Sequence, residues 1–276
     1  ITVAIFDNLL IYLPLYIAID KGMFKKNKIE VQLIVSGSDE KTWEDVSNDT
    51  ADSGISDPLH MYKEGHVSAR VIGVFINKMA LWGFTGKNIG SITKGELSDY
   101  GLHSYIKGTT SHQYLSGFAT LHQVGIKPGD ELKEMEANNN QTELYFLPEP
   151  YPSMGEDMGM NVVYSAPNVE NPMAFSGIYT DARFINGNEE LCKNVRHSME
   201  SAIKFIYDNP EETVKIASER FPEISKLTLF NIVRRMLKDE IFPRSVTPKQ
   251  NEWDSAKEFW GIESKKAIFN ECVFRN

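Results

Sequence analysis

The chain has 276 residues, 41 % of them hydrophobic, and a formal net charge of −9 at pH 7. That length carries one large domain or two ordinary lobes with a sizeable core, which excludes a disordered chain. The acidic balance argues against a nucleic-acid surface, and no run approaches the roughly 18 apolar residues of a membrane span.

The elements open with a strand in "ITVAIF", a helix after Pro14 stopped by Gly22, and a strand in "IEVQLIV". A helix follows over Glu40 to Ser47 with Trp43 and Val46 on one face, then a short strand at "ADSGI". Asp57-Pro58 opens the next helix, since Asp caps and Pro suits the first helical position, and Gly65 ends it before the strand "VSARVIGVF". This alternation predicts an α/β fold. From about Gly83 to Ser176 it repeats as a second lobe, with a helix from "TTSH" to Val124 stopped by Gly125 and a strand "LYFL" running into "PEPYPS". Residues 177–276 read as mostly helical. "NPEE" at 209–212 and "TPKQ" at 247–250 each place a cap residue, Pro at the first helical position and Glu or Gln at the third. Leu191, Val195, Met199, Ala202, Ile203 and Ile206 form a core stripe by their spacing.

Several chemistries find no support in the pattern. The six histidines lack His-x-His and His-x-x-x-His spacing, so no metal is expected, and neither a G-x-S-x-G elbow nor a phosphate-cradling loop is present. Cys192 and Cys272 fit one long-range bridge or two buried thiols. "KGMFKKNK" and "VRRMLKD" read as solvated helix ends and faces. The start at Ile1 fits an exported chain with its leader removed or a trimmed segment. "KGTTSHQYLSGF" sets hydroxyls at a helix start, where they either cap the free N–H groups or seat an anion or carbonyl-rich ligand.

Four stretches in order, "PLYIAIDKGMFKKNKIEVQLI", "DTADSGISDPLHMYKEG", "KGTTSHQYLSGFATLHQVGIKPGD" and "LPEPYPS", resemble the substrate-binding proteins of ABC importers of the nitrate/taurine/sulfonate class. That class shares its fold with thiamine-pyrimidine binders and the eukaryotic-type pyrimidine synthase. The resemblance implies a two-lobed type II periplasmic-binding-protein fold with a ligand cleft. The lobes are expected as 1–82, 83–176, and a return over 177–276, with hinges near Met79 to Phe84 and Ala174 to Tyr179. Carried over, cleft positions fall on Asp7, Asn8 and Tyr12, on Ser56 and Asp57, on Thr109, Thr110, Ser111 and His112, and on Glu149 and Tyr151.

Trp82 in "ALWGF" joins that set as an aromatic face, with Tyr12 and Tyr151; Trp43 reads as core before ligand, and Phe84 as core or ligand. No arginine sits in the matched stretches, so Arg183, Arg234, Arg235 or Arg244 must supply one if an oxyanion is bound. The implied protein is a periplasmic or extracellular monomer, not an enzyme and without cofactor, that closes on a small molecule and presents it to an ABC permease. A small organic anion such as a sulfonate or taurine is the first ligand expectation, and a pyrimidine thiamine precursor the second. A ligand-sensing domain and a pyrimidine-synthase-like enzyme are the alternatives. In the enzyme, His60 would fall near a histidine that is consumed alongside pyridoxal phosphate, but the expected cysteine-rich cluster is absent from "ENPMAFSGIY".

Overall fold

The computed structural model describes residues 1–63, 65–86, 88–105, 107, 109–118, 125–127, 129–137, 143–263 and 266–275. Among the described residues, ten strands form two five-stranded sheets. The first contains β1 (Thr2–Ile5), β2 (Gln32–Val35), β3 (Ser53–Ser56), β4 (Ala69–Ile76) and β10 (Ser176–Asp181), in the order β2-β1-β3-β10-β4. The second contains β5 (Trp82–Thr85), β6 (Gly101–Tyr105), β7 (Gly125–Ile126), β8 (Glu143–Leu147) and β9 (Asn161–Ser165), in the order β7-β6-β8-β5-β9. Each sheet is parallel on one side and takes one antiparallel strand near its other edge, β10 between β3 and β4 and β5 between β8 and β9.

The chain passes between the sheets twice, from β4 to β5 and from β9 to β10. The two passages are stitched together: Met173 N–H donates to the Asn77 carbonyl at 2.9 Å and Phe175 N–H to that of Ile76 at 3.1 Å. This arrangement brings the C-terminal ends of the parallel strands of both sheets, with the starts of β5 and β10, to one shared cleft. Open α/β sheets bind their ligands at that edge.

Local sequence explains the scaffold around it. Ser38 accepts the Lys41 N–H at 3.0 Å and so starts the helix Asp39–Ser47 one residue earlier than the apolar pattern suggested. Trp43 and Val46 are buried, and the Trp43 ring lies 5.9 Å from that of Tyr179. Gly54 is required because a Cβ there would meet the Tyr179 hydroxyl at 2.7 Å. The stripe on the helix Glu189–Asp208 buries Val195, Met199, Ala202, Ile203 and Ile206, while Leu191 is half-buried. Cys192 and Cys272 are both buried free thiols.

Two further expected helix boundaries differ, and one expected cap is not made. The helix at "TTSH" runs Thr110–Leu115, positions 119–124 lie outside the described residues, and Gly125 begins β7. Asn209 precedes the helix Pro210–Arg220 but does not cap it: its side-chain amide donates back to the Phe205 carbonyl at 3.2 Å, closing the preceding helix instead. At "TPKQ" the helix starts at Gln250, because Thr247 N–H is held by Ser245 Oγ at 3.3 Å in a turn that leaves Pro248 outside it.

Candidate functional site

A cavity of about 70 Å3 lies in the cleft. Its walls come from the loop after β1 (Phe6, Leu9, Ile11, Tyr12), from Asp39 after β2, from Asp57 after β3, and from Phe175 and Ser176 at the start of β10. The second sheet contributes Tyr105, Thr109, Thr110 and Ser111 after β6, Pro148 after β8, and Leu81 before β5. Both halves of the molecule therefore build one small space.

Asp57 is the joint between them. Its Oδ1 accepts the Leu59 N–H at 3.0 Å, which caps the helix Pro58–Lys63. Its Oδ2 accepts the Thr110 hydroxyl at 3.1 Å from the opposite sheet and the Trp260 indole N–H at 2.9 Å from the end of the helix Gln250–Trp260. Burial pushes the Asp57 carboxyl up to about 7, the nearby Asp39 adds to the rise, and the three donors oppose it. Asp39 accepts the Asp57 N–H; burial also raises its carboxyl, with the charge of His60 opposing. The Tyr12 hydroxyl is held neutral by burial and by Asp39.

The hydroxyls at the start of the short helix are already engaged. Thr109 Oγ1 accepts the His112 N–H at 3.4 Å, Thr110 hooks Asp57, and Ser111 Oγ accepts the Tyr105 N–H at 3.3 Å. The stretch thus both caps and reaches the cleft. Its polar groups, however, serve the protein itself.

Of the expected site residues, the cavity brings together Tyr12, Asp57, Thr109, Thr110 and Ser111. Ser56 lies just behind, donating to the Tyr179 hydroxyl at 3.0 Å. Asp7 and Asn8 form their own turn, Asn8 N–H to Asp7 Oδ1 at 2.7 Å, and do not line the cavity. Tyr151 packs its ring edge-on to Tyr105, 6.5 Å away, one layer out. His112 is half-buried, its ring pKa lowered by burial, and its Nδ1 finds no partner among the described residues.

Trp82 and Glu149 correct the sequence reading. The Trp82 indole N–H donates to Asp239 Oδ2 at 2.7 Å, and its ring borders a separate space of about 690 Å3 beside the helix Lys226–Lys238. Glu149 is fully buried and accepts from Arg235 at 2.6 Å and from the Ser153 hydroxyl at 2.9 Å, so its charge is spent inside the protein. Phe84 is core, stacked on Tyr145. The four arginines named as oxyanion partners stay away: Arg183 pairs with Asp181, Arg235 with Glu149 and Glu156, Arg234 lies over Phe230, and Arg244 lies over Tyr207.

Sequence reasoning missed Asp39, Phe6, Tyr105, Phe175 and Trp260. The rule that found the loops after β1 and β3 also applied to the loop after β2, which would have reached Asp39. Trp260, from the far end of the chain, gave no local signal. Among the described residues no group of three or more His, Cys, Asp or Glu is placed to hold a metal ion, and no helix is long and apolar enough to cross a membrane. His60 stands behind the cavity, its ring edge-on to Trp260 at 5.3 Å.

Comparison with solved structures settles the architecture. The alkanesulfonate-binding protein SsuA from Xanthomonas axonopodis pv. citri, bound to MOPS, superposes with a TM-score of 0.77 at 10 % identity, covering 100 % of this chain and 98 % of that one. The chain has the periplasmic-binding-protein fold. The ligand-binding component of an ABC-type import system from Staphylococcus aureus matches with a TM-score of 0.75 at 10 % identity, over 99 % of this chain and 95 % of that one. The periplasmic nitrate-binding protein NrtA from Synechocystis PCC 6803 gives 0.68 at 14 %, over 98 % and 83 %. A family model described as NMT1/THI5 like matches residues 11–77, the part of this periplasmic-binding-protein fold that carries Tyr12, Asp39 and Asp57. No curated protein sequence matches the chain.

Proposed function

We propose that the chain is an extracytoplasmic solute-binding protein of an ABC importer, which closes two lobes on a small polar molecule and presents it to a membrane permease. The observation that carries this reading is the cavity itself: one space walled by both sheets and bridged by the Thr110–Asp57 hydrogen bond. The S. aureus relative in fold supports the importer assignment by what it is named for, and the Synechocystis one supports a periplasmic solute-binding role. The lobe division at about residues 82 and 176, with hinges in the two passages between sheets, belongs to the same proposal. Ligand contacts from both lobes favour closure only as far as they are stronger in the closed state.

A sulfonate or taurine remains a candidate on the strength of the Xanthomonas relative and the hydroxyl-rich helix start. Against it stand Asp39 and Asp57, since an anion about 4 Å from an ionised carboxylate meets roughly 4 kcal/mol of repulsion at an effective dielectric of 20. A pyrimidine thiamine precursor is favoured by the rings of Phe6, Tyr12, Tyr105 and Phe175 and by carboxyl acceptors for an amino group. The test is a thermal-shift screen of the ligand-stripped chain. A true solute at a hundred times its Kd adds about 2.7 kcal/mol, which moves the melting point by about 5 °C. No shift with sulfonates, taurine, nitrate or aminopyrimidines, together with a shift from pyridoxal phosphate, would return attention to His60 and an enzyme.

A further inference from the structure

The charge inventory of the cleft cavity goes further than its shape. Among the described residues that line it, Asp39 and Asp57 are the only acidic or basic side chains. The arginines that might have balanced them are committed elsewhere, as described above. Behind the wall stand His60, whose charge acts on Asp39, and Lys63, whose Nζ lies over the Trp260 ring at 4.7 Å. The remaining walls are largely aromatic and aliphatic. Phe6 from the first sheet faces Tyr105 from the second with ring centroids 6.4 Å apart, and Tyr12 stands beside Asp39. Carboxylates set among aromatic faces match an organic cation, which gains from both the charge and the ring quadrupoles.

We infer, resting on the reading of this cavity as the solute site, that the solute is a small organic monocation whose ammonium, amidinium or guanidinium end sits against Asp39 and Asp57 and whose carbon frame lies against Phe6, Tyr12 and Tyr105. Trp260 and Thr110 act as positioning residues, holding the Asp57 carboxylate with its charge toward the joint between the lobes. A proton is the cation's competitor. Burial makes Asp57 hold a proton below about 7, so an arriving cation must expel it, and binding weakens as the pH falls. The groups that face Asp57 from the elements around it are Asp39, Thr110 and Trp260, with His60 and Lys63 beyond them.

Isothermal titration of the ligand-stripped full chain tests this with methylguanidinium, ethylammonium and choline chlorides, against methanesulfonate, taurine and a neutral aminopyrimidine. At least one cation binds at about pH 8, and its affinity drops roughly thirtyfold by about pH 5.5, tenfold for each unit below 7. Asp57→Asn and Asp39→Asn each weaken it tenfold or more, and Trp260→Phe weakens it while moving the pH midpoint, which a purely structural role would not do. If Asp57→Asn fails to fold, Asp39→Asn and the pH profile of the unaltered chain still decide. Failure of every cation at millimolar concentration overturns the inference, as does binding that ignores both carboxylates. Binding of methanesulfonate or the aminopyrimidine alone overturns the cation and leaves the solute-binding reading standing. That reading falls separately, if solute carried through purification and added back to the stripped chain neither stabilises nor compacts it.

Discussion

Asp57 and Glu149 are both buried carboxyls, and what surrounds each decides its use. Glu149 has Arg235 at 2.6 Å and two donors from Ser153, so it is a structural ion pair joining the loop after β8 to the helix Lys226–Lys238. Removing one partner strands the other charge, and Arg235→Ala is expected to cost about 3 kcal/mol in denaturant unfolding while leaving solute affinity within twofold. A loss under about 0.5 kcal/mol would contradict the pairing. Asp57 has hydrogen-bond donors and, among the described residues, no ion-pair partner. Its folded pKa, about 7, lies above its unfolded value, so its contribution to stability is full below about pH 4 and is lost as the pH rises through 7. Asp57→Asn should therefore show a shallower fall in Tm between pH 4 and 7 than the unaltered chain; parallel curves would remove the shift. Thr110→Val, which deletes the hydroxyl that hooks Asp57, should weaken solute binding by tenfold or more with Tm changed by only a few degrees. Sequence supplied Asp57 and Thr110 by motif. It could not supply the partner that neutralises Glu149, because Arg235 is 86 residues away and lies in a stretch that reads as a solvated face.

The helices and strands were legible where apolar period and end signals agreed. Pro58 after Asp57 and the apolar run of β1 produced the expected elements at the expected places. The helix after Asn209 starts at Pro210 as expected, but the Asn209 amide serves the preceding helix, and at Thr247 a turn closed by Ser245 Oγ moves the start on to Gln250, competitions settled only by packing. The helix Asp39–Ser47 links this scale to the site, because its cap, Ser38, fixes where the Asp39 carboxyl stands. Ser38→Ala should cost about 1 kcal/mol of stability and also reduce solute affinity. If affinity were unchanged, Asp39 would not contribute to the site.

At the scale of the whole molecule, the periplasmic-binding-protein fold was visible from the order of four motifs and is confirmed by superposition over the full chain at 10 to 14 % identity. The architecture survives such divergence because it depends on the alternation of strands and helices and on apolar periodicity, which many sequences satisfy. The contents of the cleft depend on a few side chains brought in from distant positions, such as Trp260 on Asp57 across 203 residues. No window of sequence displays that meeting. The hydroxyls behind the first ligand expectation are engaged with the protein's own groups, while the carboxyls that line the cavity come from separate loops. The Thr110–Asp57 hydrogen bond joins the two sheets across the small cleft cavity, and closure on a solute is the step on which the proposed function rests. Small-angle X-ray scattering of the ligand-stripped chain, alone and saturated with whichever compound raises its melting point, measures that step directly. A radius of gyration that falls on addition and recovers on dialysis is the predicted result, whereas superimposable curves at saturation would contradict closure on a solute.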